Sequence, residues 1–369
     1  MLKRDYVRGV FTLGIVTVLI SLFATARFRA WVARTAPTRS FTPPFSTTHA
    51  SEWLGTDQPC RWAKYQSLVN PLQLYQSWGY TNIPNKIYYA KVHKTGSSAV
   101  TATLRMFARR YDLVNVGRPV ETKSGLDAEL ERQGKDRVDI LSGHFQYNRT
   151  VLDPYLGRRP FRIASVRDPT DRMLSAYWYA VERANSGEEG AGAFVCSGMV
   201  GTYERWVTRC NRLISQLRYM APRDWPEEYA EDVSRVFNHY DHVLVTEKMT
   251  ESMLTLAPKV GLTLADLIMP QKKLNSQSQN PFWLTPYENA DLETRIAKKV
   301  AFDPGAQLDR QLHALAEQSI DRQFDKLPDI LKALRDDLAQ LSDELREECN
   351  SRLGFDCKEE WLQKNVMCT

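Results

Sequence analysis

The segment from Lys91 to Ser98 constrains the fold more than any other part of this chain. It reads Lys-Val-His-Lys-Thr-Gly-Ser-Ser and separates two different apolar patterns. The four residues before it, Ile87–Ala90, are apolar or aromatic and predict a short buried strand. Apolar residues at helical spacing follow it, at Val100, Leu104, Phe107, Ala108 and Tyr111. We therefore expect a strand, a loop of small residues, and a helix that begins near Ser97 or Ser98.

A strand–loop–helix unit of this kind is suited to binding an anion. Exposed backbone N–H groups and the helix dipole favour negative charge at the start of the helix. Lys94 adds a positive charge, and Thr95, Ser97 and Ser98 add hydroxyl donors beside Gly96. The loop is not a Walker A sequence, because its lysine precedes its only glycine. An ordinary strand-to-helix turn with a surface lysine would give the same pattern, so this segment alone leaves both interpretations open.

A second segment has the same design. Phe161–Val166 predicts another buried strand, and an Asp-Pro pair after Arg167 predicts the start of a helix. Arg167 would then lie at the carboxyl end of a strand, where open α/β sheets bind ligands. Its guanidinium group suits a bidentate phosphate contact, which the Ser175 hydroxyl on the following helix can complete. The alternative for Arg167 is a salt bridge to Asp168 or Asp171.

A histidine between the two segments is the candidate general base. Val138–Gly143 predicts a strand that ends in glycine, which puts His144 at a strand end. An unperturbed pKa of about 6.5 suits proton transfer near neutral pH. The alternative is a half-buried histidine that caps the strand. His93 is the second candidate, although its place beside Lys94 favours a role in shaping the loop, and His242 lies inside a strand pattern and is expected to be structural.

These motifs resemble those of sulfotransferases that use 3′-phosphoadenosine-5′-phosphosulfate. Residues 93–98 resemble the 5′-phosphosulfate loop of these enzymes, residues 167–177 resemble their 3′-phosphate site, and residues 240–253 resemble a later strand–helix unit. The likeness covers roughly Ile87 to Phe282. It is closest to the membrane-bound carbohydrate sulfotransferases, particularly the galactose 3-O-sulfotransferase branch, with the uronyl and heparan 2-O-sulfotransferases as near relatives. Gly96 departs from the alanine expected there, and we expect this to change little sterically.

The resemblance implies a fold, a reaction and a set of site residues. The fold would be P-loop-like α/β, with a central, mostly parallel sheet flanked by helices. The reaction would transfer a sulfuryl group from the nucleotide to a glycan hydroxyl, the galactose 3-OH of a glycolipid or glycoprotein being favoured and a uronyl or other glycosaminoglycan acceptor the alternative. No metal is expected, because a lysine and backbone amides can stabilise the leaving phosphate. The 5′-phosphosulfate would contact Lys94, Thr95, Gly96, Ser97 and Ser98, the 3′-phosphate Arg167 and Ser175, and the base would be His144, with Lys94 as its catalytic partner.

Two functions of other classes compete with this interpretation. A nucleotide-dependent kinase would also use a phosphate-binding loop, but it should show a Walker A sequence and an acidic Mg²⁺ ligand. A non-catalytic glycan-binding protein could keep the fold without the chemistry. The presence of Lys94, Arg167 and His144 argues against the second alternative.

The N-terminus suggests a membrane anchor. Val10–Ala26 contains no charged residue but is at the short end of what can span a bilayer. Basic residues lie on both sides of it, so they hardly decide its orientation. A cleaved signal peptide or a transit peptide would also fit. The resemblance favours a type II Golgi protein with a cytoplasmic tail (1–9), a signal anchor (10–26), a stem rich in Ser, Thr and Pro (27–59), and a lumenal catalytic domain (60–369).

Cysteines and one sequon bear on the compartment. The six cysteines form no Cys-x-x-Cys pair, and in an oxidising lumen the most local disulfides would be Cys196–Cys210 and Cys349–Cys357. In a reducing compartment free thiols are expected instead. Asn148 begins an N-glycosylation sequon, whose occupancy the sequence leaves open.

Charge and the C-terminal pattern complete the sequence-based expectations. A net charge of +5 is small for 369 residues and does not indicate nucleic-acid binding. Lys272 and Lys273 lie in a polar run that could close over a nucleotide. The C-terminal third shows two amphipathic helical patterns, the second a leucine stripe from Leu331 to Leu345. Packing of this stripe onto the main domain is favoured over a coiled coil, although a homo-oligomer remains open.

Overall fold

The computed structural model describes residues 84–117, 122–176, 215–268 and 294–349, the last range with gaps at 296 and 299–300. The predicted anchor and stem, the loop of Lys272 and Lys273, and the predicted cysteine pairings lie outside the residues whose side chains are described. Within the described part of the chain, none of the helices combines the length and the apolar character that crossing a membrane requires.

Five parallel strands form one sheet in the order β2–β3–β1–β4–β5. In β1 and β4 the register pairs Ile87 with Phe161 and Ala90 with Ala164. The predicted α/β fold with a mostly parallel central sheet is confirmed in the described residues. The strands are β1 Ile87–Ala90, β2 Asn115–Val116, β3 Ile140–Leu141, β4 Phe161–Val166 and β5 His242–Val245.

Helices connect the strands and continue after them. A further helical segment covers residues 169–176, and a 3₁₀ turn at Thr246–Lys248 leads into α7. The helices are α1 Ser97–Arg110, α2 Lys123–Gln133, α3 Arg149–Leu156, α4 Gln216–Met220, α5 Glu227–Ala230, α6 Val233–Asn238, α7 Met249–Val260, α8 Leu264–Leu267, α9 Pro304–Asp325 and α10 Asp329–Cys349.

The sheet is buried between two helical layers. Successive residues of a strand point to opposite faces, so Tyr89 and Ile163 contribute to one apolar core and Tyr88 and Ala164 to the other. The first core includes α1, α7, α8 and α10, and the second includes α2, α3, α4, α6 and α9. Burial on both faces explains why these strands are apolar without alternation.

The last helix shows how the C-terminal leucines are used. The stripe members Leu331, Leu338 and Leu345 are all buried in the first core, where α10 packs on α7. The prediction that this stripe packs onto the main domain is confirmed.

The topology places a ligand crevice at the centre of the sheet. From the central strand β1 the chain passes to the edge strand β2, whereas from the neighbouring β4 it passes to the other edge strand, β5. The two connections leave the carboxyl edge in opposite directions. Open α/β sheets bind ligands at such a divergence, which here lies between the loop of His93 and Lys94 and the loop of Arg167.

Candidate active site

The first loop presents backbone donors at the start of α1. Strand β1 ends at Ala90 and α1 begins at Ser97, as the sequence predicts. Lys94 and Gly96 both have left-handed backbone angles, with φ of 64° and 66°. Gly96 is the N-cap residue, no side chain caps the helix, and its first turn contains no acidic residue. The first N–H groups of a 14-residue helix are thus presented without a competing carboxylate, which favours an anion.

Gly96 corrects one expectation from the sequence. The expectation that glycine in place of alanine changes little sterically is wrong, because φ at Gly96 lies in the region that side chains with a Cβ disfavour. A Cβ atom there would also lie 2.9 Å from the Cε methyl of Met249, which would have to shift. Glycine is the residue that the backbone of this loop requires.

Thr95 anchors the loop to the sheet. Its hydroxyl is fully buried, donates to the carbonyl of Val92 at 3.0 Å and lies 2.6 Å from the Ser165 hydroxyl. Ser165 in turn lies 2.8 Å from the hydroxyl of Tyr89. The side chain predicted to contact the ligand is therefore directed into the sheet. Tyr89 and Ser165 were not identified from the sequence.

His144 is held at the same edge by the first loop. Its Nδ1 lies 2.8 Å from the carbonyl oxygen of Lys91. A carbonyl only accepts hydrogen bonds, so the proton of the neutral ring resides on Nδ1 and Nε2 keeps its lone pair. This is the tautomer that a general base requires.

The ring of His93 is stacked on that of His144. The two centroids are 4.1 Å apart and the ring planes differ by 4°. The ring of Tyr219 meets His93 edge-on at 5.6 Å. The loop, the segment after β3, and α4 thus converge on the two imidazoles, an arrangement that sequence spacing does not reveal.

Both histidines are strongly biased towards the neutral form. Burial, the neighbouring His93 and the ammonium group of Lys91 lower the pKa of His144 to about 3. Burial and the positive charges of Arg172, Lys91 and Lys94 lower the pKa of His93 to about 4. Burial is the larger cause of both shifts, and the smaller one, the positive charge of Lys91, Lys94 and Arg172, is the part that would also attract an anion.

The second loop is fixed by side chains from distant elements. Gln216 binds the backbone of Arg167 twice, accepting from its N–H and donating to its carbonyl, both at 2.8 Å. The guanidinium group approaches Glu247 at 3.7 Å and Asp171 at 4.0 Å. The 3.7 Å contact to Glu247 is made by Nε, which is buried and, among the described residues, has an ion-pair partner but no hydrogen-bond partner. The salt bridge to Asp171 that was the alternative from sequence is therefore present, together with a closer ion pair to Glu247.

Asp168 and the proline after it start the helical segment as predicted. The Asp168 carboxylate accepts from the N–H groups of Thr170 and Asp171 at 2.8 and 3.0 Å. Ser175 lies further along this segment and is buried, as is Arg172 three positions before it. Residues three apart share a helix face, so Ser175 and Arg172 lie on the same side.

Arg172 and Asp309 form a buried ion pair that sequence reasoning missed. The Arg172 Nη2 and the Asp309 carboxylate are 3.2 Å apart, and both side chains are almost inaccessible. Asp309 also accepts from the Ser215 hydroxyl and from the N–H groups of Gln216 and Leu217. Burial raises the pKa of Asp309, but a carboxyl group that accepts from four donors is ionised. The Nε of Arg172 is a buried donor without a hydrogen-bond partner in the part of the chain that the structure describes.

Glu247 and His313 complete the support of the second loop. Glu247 accepts from the N–H of Asp168 at 3.1 Å and lies 3.0 Å from Nε2 of His313. Although burial opposes it, the His313 hydrogen bond lowers the pKa of Glu247. Burial lowers the pKa of His313, but Glu247 and Glu317 outweigh it and the net pKa is raised. No sequence motif marks this pair.

The remaining predicted residues lie where the topology requires. Ser97 is buried and Ser98 is exposed at the start of α1. His242 is buried at the start of β5, with Nε2 3.1 Å from the Ser252 carbonyl and Nδ1 3.0 Å from the Lys259 ammonium, in keeping with the structural role expected for it. Among the residues described, no group of three or more His, Cys, Asp or Glu side chains is placed to hold a metal ion.

The comparison with known families agrees with this geometry. Residues 80–302, more than half of the chain, match the model of the sulfotransferase family, and the chain belongs to that family. The protein is therefore a transferase that moves a sulfuryl group. No curated protein sequence matches the chain significantly.

Proposed function

We propose that this protein transfers a sulfuryl group from 3′-phosphoadenosine-5′-phosphosulfate to a glycan hydroxyl, with the 3-OH of galactose in a glycolipid or glycoprotein as the favoured acceptor. The observation that carries the proposal is the juxtaposition of two cationic loops, after the adjacent strands β1 and β4, with a neutral histidine at the same edge. A donor with anionic groups at both ends of a nucleoside suits two such loops.

The loops fit this donor chemically. The start of α1 offers N–H groups with no capping side chain, and Lys94 stands in the same loop. The other loop offers Arg167, whose Nε is ion-paired with Glu247 but makes no hydrogen bond to the described residues, and the buried Nε of the nearby Arg172 likewise makes none to them. Buried donors are normally satisfied, so an anionic ligand is a natural partner for them. Ser175 adds a hydroxyl on the Arg172 face of the helix.

The residues would divide the reaction between them. The donor supplies an activated sulfuryl group. The acceptor hydroxyl gives its proton to Nε2 of His144 as its oxygen bonds to sulfur, and the electron pair of the broken S–O bond stays on the 5′-phosphate. Lys94 and the α1 amides would stabilise the charge that develops there. Arg167 and Ser175 would hold the 3′-phosphate and so orient the donor.

A transfer assay tests the proposal. The full-length chain in detergent would be incubated with ³⁵S-labelled donor and a panel of galactosides, desulfated heparan and desulfated chondroitin. Label on galactosides, lost in Lys94→Ala and His144→Ala and kept in the exposed-lysine control Lys123→Ala, is the expected result. Label on a glycosaminoglycan would instead identify a uronyl-type acceptor. Failure of the donor to bind would reject the proposal.

The compartment is part of the same proposal. A Golgi membrane protein of type II, anchored by residues 10–26, would meet glycans and the donor in the lumen. Protease protection of the C-terminus in intact microsomes tests this, and a C-terminus digested without detergent would contradict it.

A further inference from the structure

The proposed function assigns a role to His144 but none to His93, whose ring is stacked on that of His144. The Nδ1 of His144 contacts the Lys91 carbonyl oxygen. A single hydrogen bond does not fix the orientation of a ring, because the ring can still rotate about that contact. The His93 ring covers one face of the His144 ring, with the two centroids 4.1 Å apart and the two ring planes nearly parallel. Tyr219 then supports His93 edge-on. The first loop therefore positions the ring of His144 as well as presenting Lys94.

The charges around the pair oppose its protonation. Lys91 and Lys94 belong to the loop itself, and Arg172 reaches the pair from the helical segment 169–176. Stacked imidazoles also repel each other's positive charge, so protonation of either ring disfavours protonation of the other. Lys94 lies in the loop that would bind the donor, so an anion in the cleft would offset its effect on His93 and, through the stacked ring, favour protonation of the pair.

We infer that His93 is a positioning residue for His144, and that the pair becomes a stronger proton acceptor when an anionic nucleotide occupies the two loops. This rests on the proposed function. It couples the base to the donor: burial and nearby positive charge make His144 a weak base before the nucleotide binds, and the bound phosphates would offset the part that is due to charge. Acceptor activation without donor is thereby disfavoured.

Histidine NMR provides a readout that does not depend on turnover. The full-length chain, labelled in its imidazoles, would be titrated from about pH 8 down to the lowest pH at which the fold persists, with and without 3′,5′-ADP, and the His144 signal assigned by its loss in His144→Asn. We expect the nucleotide to raise the His144 midpoint by about one pH unit or more. His239 is the internal control, since burial, Arg162 and Arg149 lower its pKa as well. It directly precedes β5 and so lies at the amino ends of the strands, away from the two loops. Its midpoint should not move.

Two substitutions separate ring stacking from charge. His93→Phe keeps an aromatic face on His144 but removes a titrating neighbour, so kcat should stay within about threefold while the acidic limb of its pH profile moves to higher pH. His93→Ala removes the face, and kcat should fall about tenfold or more with little change in the KM for the donor. A merely structural role would make the two variants equally unstable and leave the pH profile unchanged.

The outcomes distinguish this inference from the proposed function. If 3′,5′-ADP does not bind in a calorimetric titration, both fail. If it binds and sulfuryl transfer occurs, but the His144 midpoint does not respond or His93→Ala is fully active, only the coupling of the pair is overturned.

Discussion

The loop after β1 and the loop after β4 both end a parallel strand and start a helix, yet different parts of the chain fix their shapes. The shape of the first loop is set by its own backbone, because Lys94 and Gly96 have left-handed backbone angles and no side chain caps the start of the helix. In the second loop, Arg167 is held by Gln216 and Glu247, which lie 49 and 80 positions further along the chain. The first anion site depends mainly on its own backbone, with one tertiary anchor from Thr95 to Ser165, whereas the second is assembled by tertiary contacts.

This difference predicts how each loop fails. A local loop should lose activity when its own residues change, with little loss of stability. An assembled loop should lose stability when a remote residue changes, because the remote residue is buried with charged or polar partners. The first two predictions test this contrast most directly.

The largest effect is expected at Asp309, far from either motif. Asp309→Ala would leave Arg172 buried without its partner and remove the acceptor of three further donors. Removing one member of a buried ion pair costs about 3–5 kcal/mol, so the free energy of unfolding should fall by that amount in urea denaturation. The matched control on the same helix is Asp321→Ala, whose exposed bridge to Lys248 should contribute about 0–1 kcal/mol. Equal losses in the two variants would contradict the assembled character of the second loop.

Lys94→Ala should affect activity and leave stability almost unchanged. Loss of one positive group from the site of developing charge typically reduces kcat about 100- to 1000-fold. The side chain is only partly buried, so the melting temperature should stay within the error of the Lys123→Ala control. A variant that lost stability along with activity would show that the first loop, too, depends on tertiary support.

Two left-handed glycines give the next comparison. Gly96→Ala and Gly134→Ala place a Cβ at φ of 66° and 63°, at a backbone cost of about 1–2 kcal/mol in each case. Space around Gly134 is open, whereas a Cβ at Gly96 displaces the methyl of Met249. Thermal unfolding should therefore show similar losses, slightly larger for Gly96→Ala, while sulfuryl transfer should fall in Gly96→Ala alone. Unchanged transfer in that variant would argue against anion binding by this loop.

The smallest effect is a pH dependence of the Glu247–His313 pair. Because folding lowers the pKa of Glu247, its ionised form stabilises the protein, and this stabilisation is lost as the pH falls through the folded-state pKa. Because folding raises the pKa of His313, its protonated form stabilises the protein, and this stabilisation is lost as the pH rises through the folded-state pKa. The pair should thus contribute most between about pH 4.5 and 6.5, the ordinary values of the two groups. His313→Gln should lower the melting temperature most near the middle of that window and least at about pH 8. If the melting temperatures of the wild type and His313→Gln differed by the same amount at every pH, the ion pair would be excluded as the cause of that difference.

The sequence by itself determined the elements that obey local rules. Strand β1 is an apolar run buried on both faces and β4 is buried over its last four residues, and the helix starts at Ser97 and after Asp168 carry recognisable loop and N-cap signals. The order of the motifs also identified a sulfotransferase, which the family comparison supports. These features depend on neighbouring residues, so spacing reveals them.

Only the tertiary structure decided which side chains face the cleft and which support it. Thr95 turns its hydroxyl inward to Ser165, and His93 stacks on His144, 51 positions away. Asp309 reaches back from a C-terminal helix to Arg172 and α4. Contacts of this kind depend on how helices pack on the sheet. Since a single buried hydrogen bond or ion pair leaves no periodic trace in the chain, the folded arrangement alone reveals it.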